Sequence, residues 1–416
     1  MLVVGGALAT SLAPAPDVAG ERGVGTSASV SVRDLSDKGL QSALRGEAGR
    51  ALPATLPTEL PDAVSVFSAE DGLSESLVTQ VRGIDQVVAT TTVRTAMVGL
   101  FGSVDADGSQ EDVIPRGMRI PVSATAVEPD SYLDVFVGEI TPEDRALVRM
   151  LAPGEVLLSR SSAGLRGLDV GATVDLGAAR GLRVAGVVHD DVTRGNEFLL
   201  RADDADAVDL GFGGRTALLV RHAASLTVRD VLDDVAEDAE ESGEEVRVWH
   251  AGRRVPLVLS TVEVKERFGE FAFRLVLDQR EIVVDRAFVE TYIVDERMPV
   301  IGPVRCHRLI MDDLRAAVDE LIAAGYEEWL SPRRYAGCYY PRRIGFGREN
   351  LSRHSWGIAI DLNVDFSLPG AGPVPPDELI AIMGRHGFRW GGDFTTPDNH
   401  HFEWVGDIAT LRPDRT

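Results

Sequence analysis

A chain of 416 residues with 44% hydrophobic and 26% charged side chains has the composition of a soluble globular protein and the length for two or three cores. Its formal charge of -23 would be repelled by a phosphate backbone, so no nucleic acid is expected as a partner. Basic residues are nearly all arginine, lysine occurring only as Lys38 and Lys265, a skew that says little about chemistry.

Residues 1–13 form an apolar run, followed by Pro14-Ala15-Pro16 and a polar Gly/Ser-rich stretch. The run is as long as the apolar part of a secretion signal and too short to span a bilayer comfortably. No positive charge precedes it, which leaves three readings: a signal whose start lies upstream, the stub of a membrane anchor, or a disordered tail. No other stretch could cross a membrane. Residues 17–60 show little periodicity beyond a short helical pattern at 40–52, and segment 1–60 is expected to be a signal or anchor remnant with a flexible tether.

A helix is predicted from Leu73, with Leu77, Val78 and Val81 on one face and Gly83-Ile84-Asp85 ending it. Strands are predicted at 87–93, 96–101 and 124–127. From 153 to 188 strands alternate with tight glycine turns. Residues 231–241 read as a helix with Val231, Leu232, Val235 and Ala239 inward. Its acidic outer face lacks the spacing of a calcium loop. His189, His222 and His250 share no motif and receive no role. Segment 61–251 is thus an α+β domain, and residues 252–264 are the expected hinge into a further domain at 265–416.

That last domain opens with strands predicted at 274–277 and 281–284. A helix is predicted over 306–324, with Ile310, Leu314, Ala317, Val318 and Leu321 on one stripe and Gly325 as its cap. A shorter one begins at Pro376-Asp377-Glu378, buries Leu379, Ile382 and Met383, and closes at Gly387, with His386 in its last turn. Phe388-Arg389-Trp390 then enters a sheet and Gly391-Gly392 turns the chain. The expected fold is α+β, a small antiparallel sheet flanked by helices, preceded by the separate α+β domain.

The chemistry concentrates in Ser352-Arg353-His354-Ser355-Trp356-Gly357-Ile358-Ala359-Ile360-Asp361, answered by Asp398-Asn399-His400-His401-Phe402-Glu403. Two imidazoles and one carboxylate are the ligand type and number of a catalytic zinc site with one position open. Trp356, Ile358, Ile360 and Leu362 alternate with Gly357, Ala359, Asp361 and Asn363, as in a strand buried on one side, so Asp361 is expected to point out over a surface cleared by Gly357 and Ala359. His354 lies an odd number of residues before Asp361, so an unbroken strand would set them on opposite faces. Either a bend at Ser355 or a kink at Gly357 is needed to bring both to one ion. His401 and Glu403 share one face of a second strand, with His400, Phe402 and Trp404 on the other.

These motifs resemble those of the VanY-type D-alanyl-D-alanine carboxypeptidases and the related L-alanyl-D-glutamate endopeptidases. The likeness runs from Phe268-Gly269-Glu270-Phe271 through Pro303-Val304-Arg305-Cys306-His307 and the segment from Tyr335 to Arg343, to about Val405. The resemblance implies a zinc peptidase of peptidoglycan, cutting an amide next to a D-amino acid in the stem peptide. Carried over residue by residue, it puts Zn2+ on His354, Asp361 and His401, and the catalytic carboxylate on Asp398. Arg342 is the first choice for the cation that holds the substrate's carboxylate or the oxyanion, with Arg343 close behind and Ser352 also assigned to the substrate. Glu403 is expected to orient a ligand rather than bind zinc. His400 is expected to pack or face solvent.

Cys306 and Cys338, the chain's two cysteines, fall at positions of the resemblance on either side of the first long helix. In an oxidising compartment they would pair, and a disulfide is preferred over two buried thiols. Segment 64–249 resembles, through turns and apolar alternation, the MacB-like periplasmic core domain of ABC-type permeases, which has no catalytic residues. An extracytoplasmic, secreted or envelope-tethered address follows from these readings, with a membrane or envelope complex as partner of the upstream domain. Removal of a terminal D-alanine and an internal cut both remain open, the Asp-x-x-His-Phe-Glu form leaning toward the second. The alternative function is a catalytically silent scaffold that binds peptidoglycan and a membrane partner.

Overall fold

The computed structural model describes residues 62–69, 72–112, 114–136, 140–210, 215–244, 246–250, 258–344, 350–364, 373–394 and 397–406. The expected tether at 1–60, its helical pattern at 40–52, and residues 252–257 of the expected hinge lie outside them.

The upstream strands are β1 (Asp62–Ala69), β2 (Val87–Val104), β3 (Ile120–Val127), β4 (Glu155–Ser159), β5 (Thr173–Leu176), β6 (Leu182–Val188), β7 (Phe198–Arg201), β8 (Arg215–Ala223) and β9 (Val246–His250). They form one sheet in the order β3-β7-β4-β6-β5-β2-β8-β1-β9. Because β2 also pairs with β3, six of these strands close into a barrel-like ring and the last three continue from it.

The strands predicted at 87–93 and 96–101 are one continuous element. β2 pairs with β8 along its first half, with β3 in its middle and with β5 at its end, and a register shift between Leu100 and Gly102 absorbs the change of partner. Burial on both faces explains why several strands are apolar without alternation. Val156 and Leu158 pack in one core cluster, while Leu157 packs in another with Tyr132, Leu133 and Val148 of the helices Pro129–Asp134 and Pro142–Met150. A third core forms where the helices Glu75–Arg82 and Leu226–Glu241 cover Phe67, Leu218 and Val220. The second of these helices starts five residues before the predicted 231.

The helix Thr261–Phe268 starts within the expected hinge and runs into the C-terminal part. Ser260 and Glu263 form its capping box, the Ser260 hydroxyl accepting from the Glu263 amide and the Glu263 carboxylate from the Ser260 amide. Two hairpins follow, β10 (Phe273–Leu275) with β11 (Ile282–Val284), and β12 (Ile293–Met298) with β13 (Gly302–His307). β14 (Ala359–Asp361), β15 (Phe388–Trp390) and β16 (His401–Trp404) make an antiparallel sheet in the order β14-β16-β15. The helix predicted from 306 starts at Met311 and runs to Ala323, because Cys306 and His307 complete β13 and a short turn, Arg308–Ile310, intervenes. Gly325 has φ of +85°, the left-handed conformation that ends a helix without steric cost. The second helix spans Asp377–Arg385, and His386 at its end lies 2.7 Å from Glu320 of the first.

The architecture is α+β, with small antiparallel sheets in the C-terminal region. The upstream and C-terminal parts also pack on each other within the compact unit 59–416. Arg119 and Phe273 exchange two backbone hydrogen bonds of 2.8 Å, and the Asn350 side-chain oxygen accepts from the Met97 amide at 2.7 Å.

Candidate metal centre

Three buried side chains converge where β14 meets β16. Asp361 and His401 are directly opposite in the antiparallel ladder, so both project from the same face. His401 Nδ1 lies 3.0 Å from Asp361 Oδ1. His354 arrives from the short turn Arg353–Ser355, and its Nε2 is also 3.0 Å from that oxygen. The problem of odd spacing is solved by both devices that the sequence offered. The chain bends at Arg353–Ser355, and Gly357 then takes φ of +69°, where a Cβ would come within 2.8 Å of the His307 amide nitrogen. The strand is shorter than the predicted alternation, and Asp361 sits 6% exposed in an enclosed site rather than over an open face. Ala359, opposite Glu403 in the ladder, is fully buried.

The neighbours of the three side chains orient them. His354 Nδ1 donates to the Cys338 carbonyl at 2.8 Å, which leaves Nε2 as the nitrogen that could ligate a metal. Cys338 is itself held by its disulfide to Cys306, with the Cα atoms 5.3 Å apart. His401 presents Nδ1 to Asp361 and Nε2, at 3.7 Å, to Glu403. Glu403 in turn accepts from Arg353 Nε at 3.2 Å, and Arg353 also donates to the Leu259 carbonyl at 2.7 Å. Burial alone would raise the Asp361 pKa, but hydrogen bonds and charge from His354 and His401 outweigh it and hold the carboxylate far below its usual range. Burial likewise opposes the charged form of His401, yet Asp361 and Glu403 push its pKa up to about 10. Glu403 is held below its usual value by His401 and Arg353 despite burial.

The donor set fits zinc. Tetrahedral zinc with bonds of ~2.0–2.2 Å needs ligand atoms roughly 3.3–3.5 Å apart. The observed 3.0 Å separations are within a small relaxation of that, and one ligand atom from each of the three residues falls within 4.8 Å of the others. Among the described residues this is the only such group.

Arg342 comes to the edge of the group, its NH2 3.8 Å from Asp361 Oδ2. Its amide donates to Ser355 Oγ at 3.1 Å and its carbonyl accepts from the Ser352 amide at 3.0 Å, so its backbone is tied to the turn carrying His354. Burial pulls its guanidinium below the usual value, against the attraction of Asp361 and Asp398. Asp398 precedes β16 in a turn whose carbonyl accepts from the His401 amide at 3.2 Å. Its Oδ1 is shielded from solvent and accepts no hydrogen bond, although His400 Nε2 lies 3.1 Å away without bonding alignment. Gly391 makes this turn fit, since a Cβ there would meet the Asp398 carbonyl oxygen at 2.9 Å.

Two other predicted residues are engaged elsewhere. Arg343 is 8% exposed and its guanidinium donates to the Gln279 carbonyl. The Ser352 hydroxyl accepts from the His354 amide at 3.4 Å and so caps the turn. Arg353 and the Cys338 carbonyl were not read as parts of the site. An arginine beside a ligand histidine and a backbone oxygen sixteen residues away leave no distinguishing mark in a sequence.

Residues 346–404 match the family described as D-alanyl-D-alanine carboxypeptidase. No curated protein matches the chain. Among solved structures, the periplasmic region of MacB from Actinobacillus actinomycetemcomitans is 13% identical, covering 45% of this chain and 87% of its own, with a TM-score of 0.30. The extracellular domain of the noncanonic ABC-type transporter YknZ from Gram-positive bacteria is 12% identical, covering 45% and 99%, with a TM-score of 0.29. The resemblance drawn from the sequence for the motifs of the C-terminal region thus reappears in the family match.

Proposed function

We propose that this chain is a zinc-dependent peptidase that hydrolyses an amide next to a D-amino acid in peptidoglycan stem peptides. The observation that carries the reading is the buried convergence of His354, Asp361 and His401 inside the segment matched by the carboxypeptidase family. These three residues would hold the ion. When bound, zinc supplies the Lewis acidity that makes water nucleophilic near neutral pH.

The remaining roles belong to side chains. Asp398 takes the proton of the attacking water and returns it to the leaving amine, a task suited to a carboxylate oxygen that has no hydrogen-bond donor of its own. Arg342 holds the substrate's carboxylate or the developing oxyanion at the rim of the group. Glu403 and the Cys338 carbonyl keep the two imidazoles in their ligand orientations. The contacts of Arg343 and Ser352 favour supporting roles, Arg343 under the 276–281 loop and Ser352 under the His354 turn. The disulfide supports an extracytoplasmic address, where such bonds persist, with the upstream part facing an envelope partner.

Incubating purified murein with the zinc-loaded protein, with and without a chelator, tests the reading. Release of D-alanine or of cleaved stem peptides that stops on chelation is expected. A zinc-loaded protein that binds murein without cutting it would instead mark a scaffold.

A further inference from the structure

A cluster of ionic side chains lies buried between the upstream barrel and the C-terminal part. Lys265, on the helix Thr261–Phe268, is fully buried, with Nζ 2.7 Å from Glu197 Oε1 and 3.0 Å from Glu270 Oε1. Arg166, ending the helix Arg160–Arg166, reaches the same two carboxylates at 2.9 and 2.7 Å and Asp112 at 3.3 Å. Glu197 is further fixed by the Ser123 amide at 3.2 Å and the Ser162 hydroxyl at 3.3 Å. Such a cluster gains little stability over well-packed apolar residues, but it is directional and tolerates one arrangement.

The helix that carries Lys265 grips the metal-ligand turn from both of its ends. Before it, the Leu259 carbonyl accepts from Arg353, the residue next to His354. After it, the Gly269 carbonyl accepts from the Trp356 indole at 3.2 Å, and the Phe271 ring packs 4.7 Å from Trp356. Trp356 is fully buried and directly follows the turn Arg353–Ser355. Gly269 lies close against Tyr292, where a Cβ would come within 2.8 Å of the ring.

We propose that Lys265, Glu270, Arg166 and Glu197 are positioning residues for the metal centre, through which the upstream barrel sets the place of the His354 turn. The upstream part then belongs to the catalytic unit and is more than a tether. A compact ammonium is required at 265 because it sits between two carboxylates, so arginine does not replace it. The proposal rests on the zinc-peptidase reading, in that it concerns the same ion.

The test is zinc affinity, measured on the full chain by competition with a chromophoric chelator, beside melting temperature. Lys265→Met, Lys265→Arg and Arg166→Met are expected to weaken zinc binding by about tenfold, the low end for residues that orient ligands indirectly. The paired variant Lys265→Met with Glu270→Gln keeps the cluster's net charge, guards against simple misfolding, and is expected to show the same loss. Leu232→Ala, a cavity in the core under the helix Leu226–Glu241, is the control and should lower the melting temperature while leaving zinc affinity as in the parent. Cluster variants that melt earlier but bind zinc as the parent does would overturn the proposal. A parent that binds no zinc would instead overturn the functional reading on which it rests.

Discussion

Asp361 is the residue on which the site turns, because both imidazoles address the same carboxylate oxygen. It is also the one whose neighbours the sequence described well. The parity argument required a break between His354 and Asp361, and the structure contains a turn and a left-handed glycine there. The proton-transfer role proposed for Asp398 is separable from metal binding. Asp398→Asn is expected to keep zinc and to lower kcat by roughly 10²–10⁴-fold, the usual range for a lost general base. Zinc content and murein turnover measured on the same preparation check this, and unchanged turnover would remove Asp398 from the mechanism. Arg343 and Ser352 show why chemical type alone misleads. Both have suitable side chains, but each also bonds a backbone group, Arg343 the Gln279 carbonyl of a remote loop and Ser352 the His354 amide of its own turn.

At the scale of elements, β13 and the turn after it explain a buried histidine that has no part in the chemistry. His307 Nε2 donates to the Phe268 carbonyl at 3.0 Å while Nδ1 accepts from the Leu309 amide at 3.2 Å, a pattern only the neutral ring satisfies. Burial pushes its pKa down to about 4. Its folded value is thus below its unfolded value of about 6.5, so the unfolded chain takes up the proton first. Stability is unaffected above about pH 6.5 and falls as the pH drops toward 4, by roughly 2–3 kcal/mol. Urea melts of the parent and of His307→Gln across that range should show a steeper loss for the parent, and parallel pH profiles would contradict the assignment.

The helix Met311–Ala323 is legible because its apolar stripe repeats over several turns, and the shorter helix Asp377–Arg385 because it buries Leu379, Ile382 and Met383 between a proline start and a glycine stop. The helices Pro129–Asp134 and Arg160–Arg166 are too short for a stripe to stand out, and Pro142–Met150, as long as Asp377–Arg385, buries only Asp144 and Val148. β2 was read as two strands because nothing local reveals that one strand changes partners along its length.

For the whole molecule, residues 59–416 form one compact unit, and the contacts by which its upstream and C-terminal parts meet leave no sign in composition or motif order. Arg166, Glu197 and Lys265 lie outside any motif and Glu270, within Phe268-Gly269-Glu270-Phe271, shows no sign of its partners, so only the fold assembles the four. If the barrel and the candidate metal centre are coupled through one short helix as proposed, ion binding is a property of the full chain. Zinc content is therefore the most direct measurement, taken by elemental analysis of the purified full chain and of His354→Ala, Asp361→Ala, His401→Ala and Asp398→Asn. One zinc per chain is expected in the parent and in Asp398→Asn, with loss in each of the other three. A folded parent without zinc, or the same zinc content after His354, Asp361 or His401 is removed, would contradict the account.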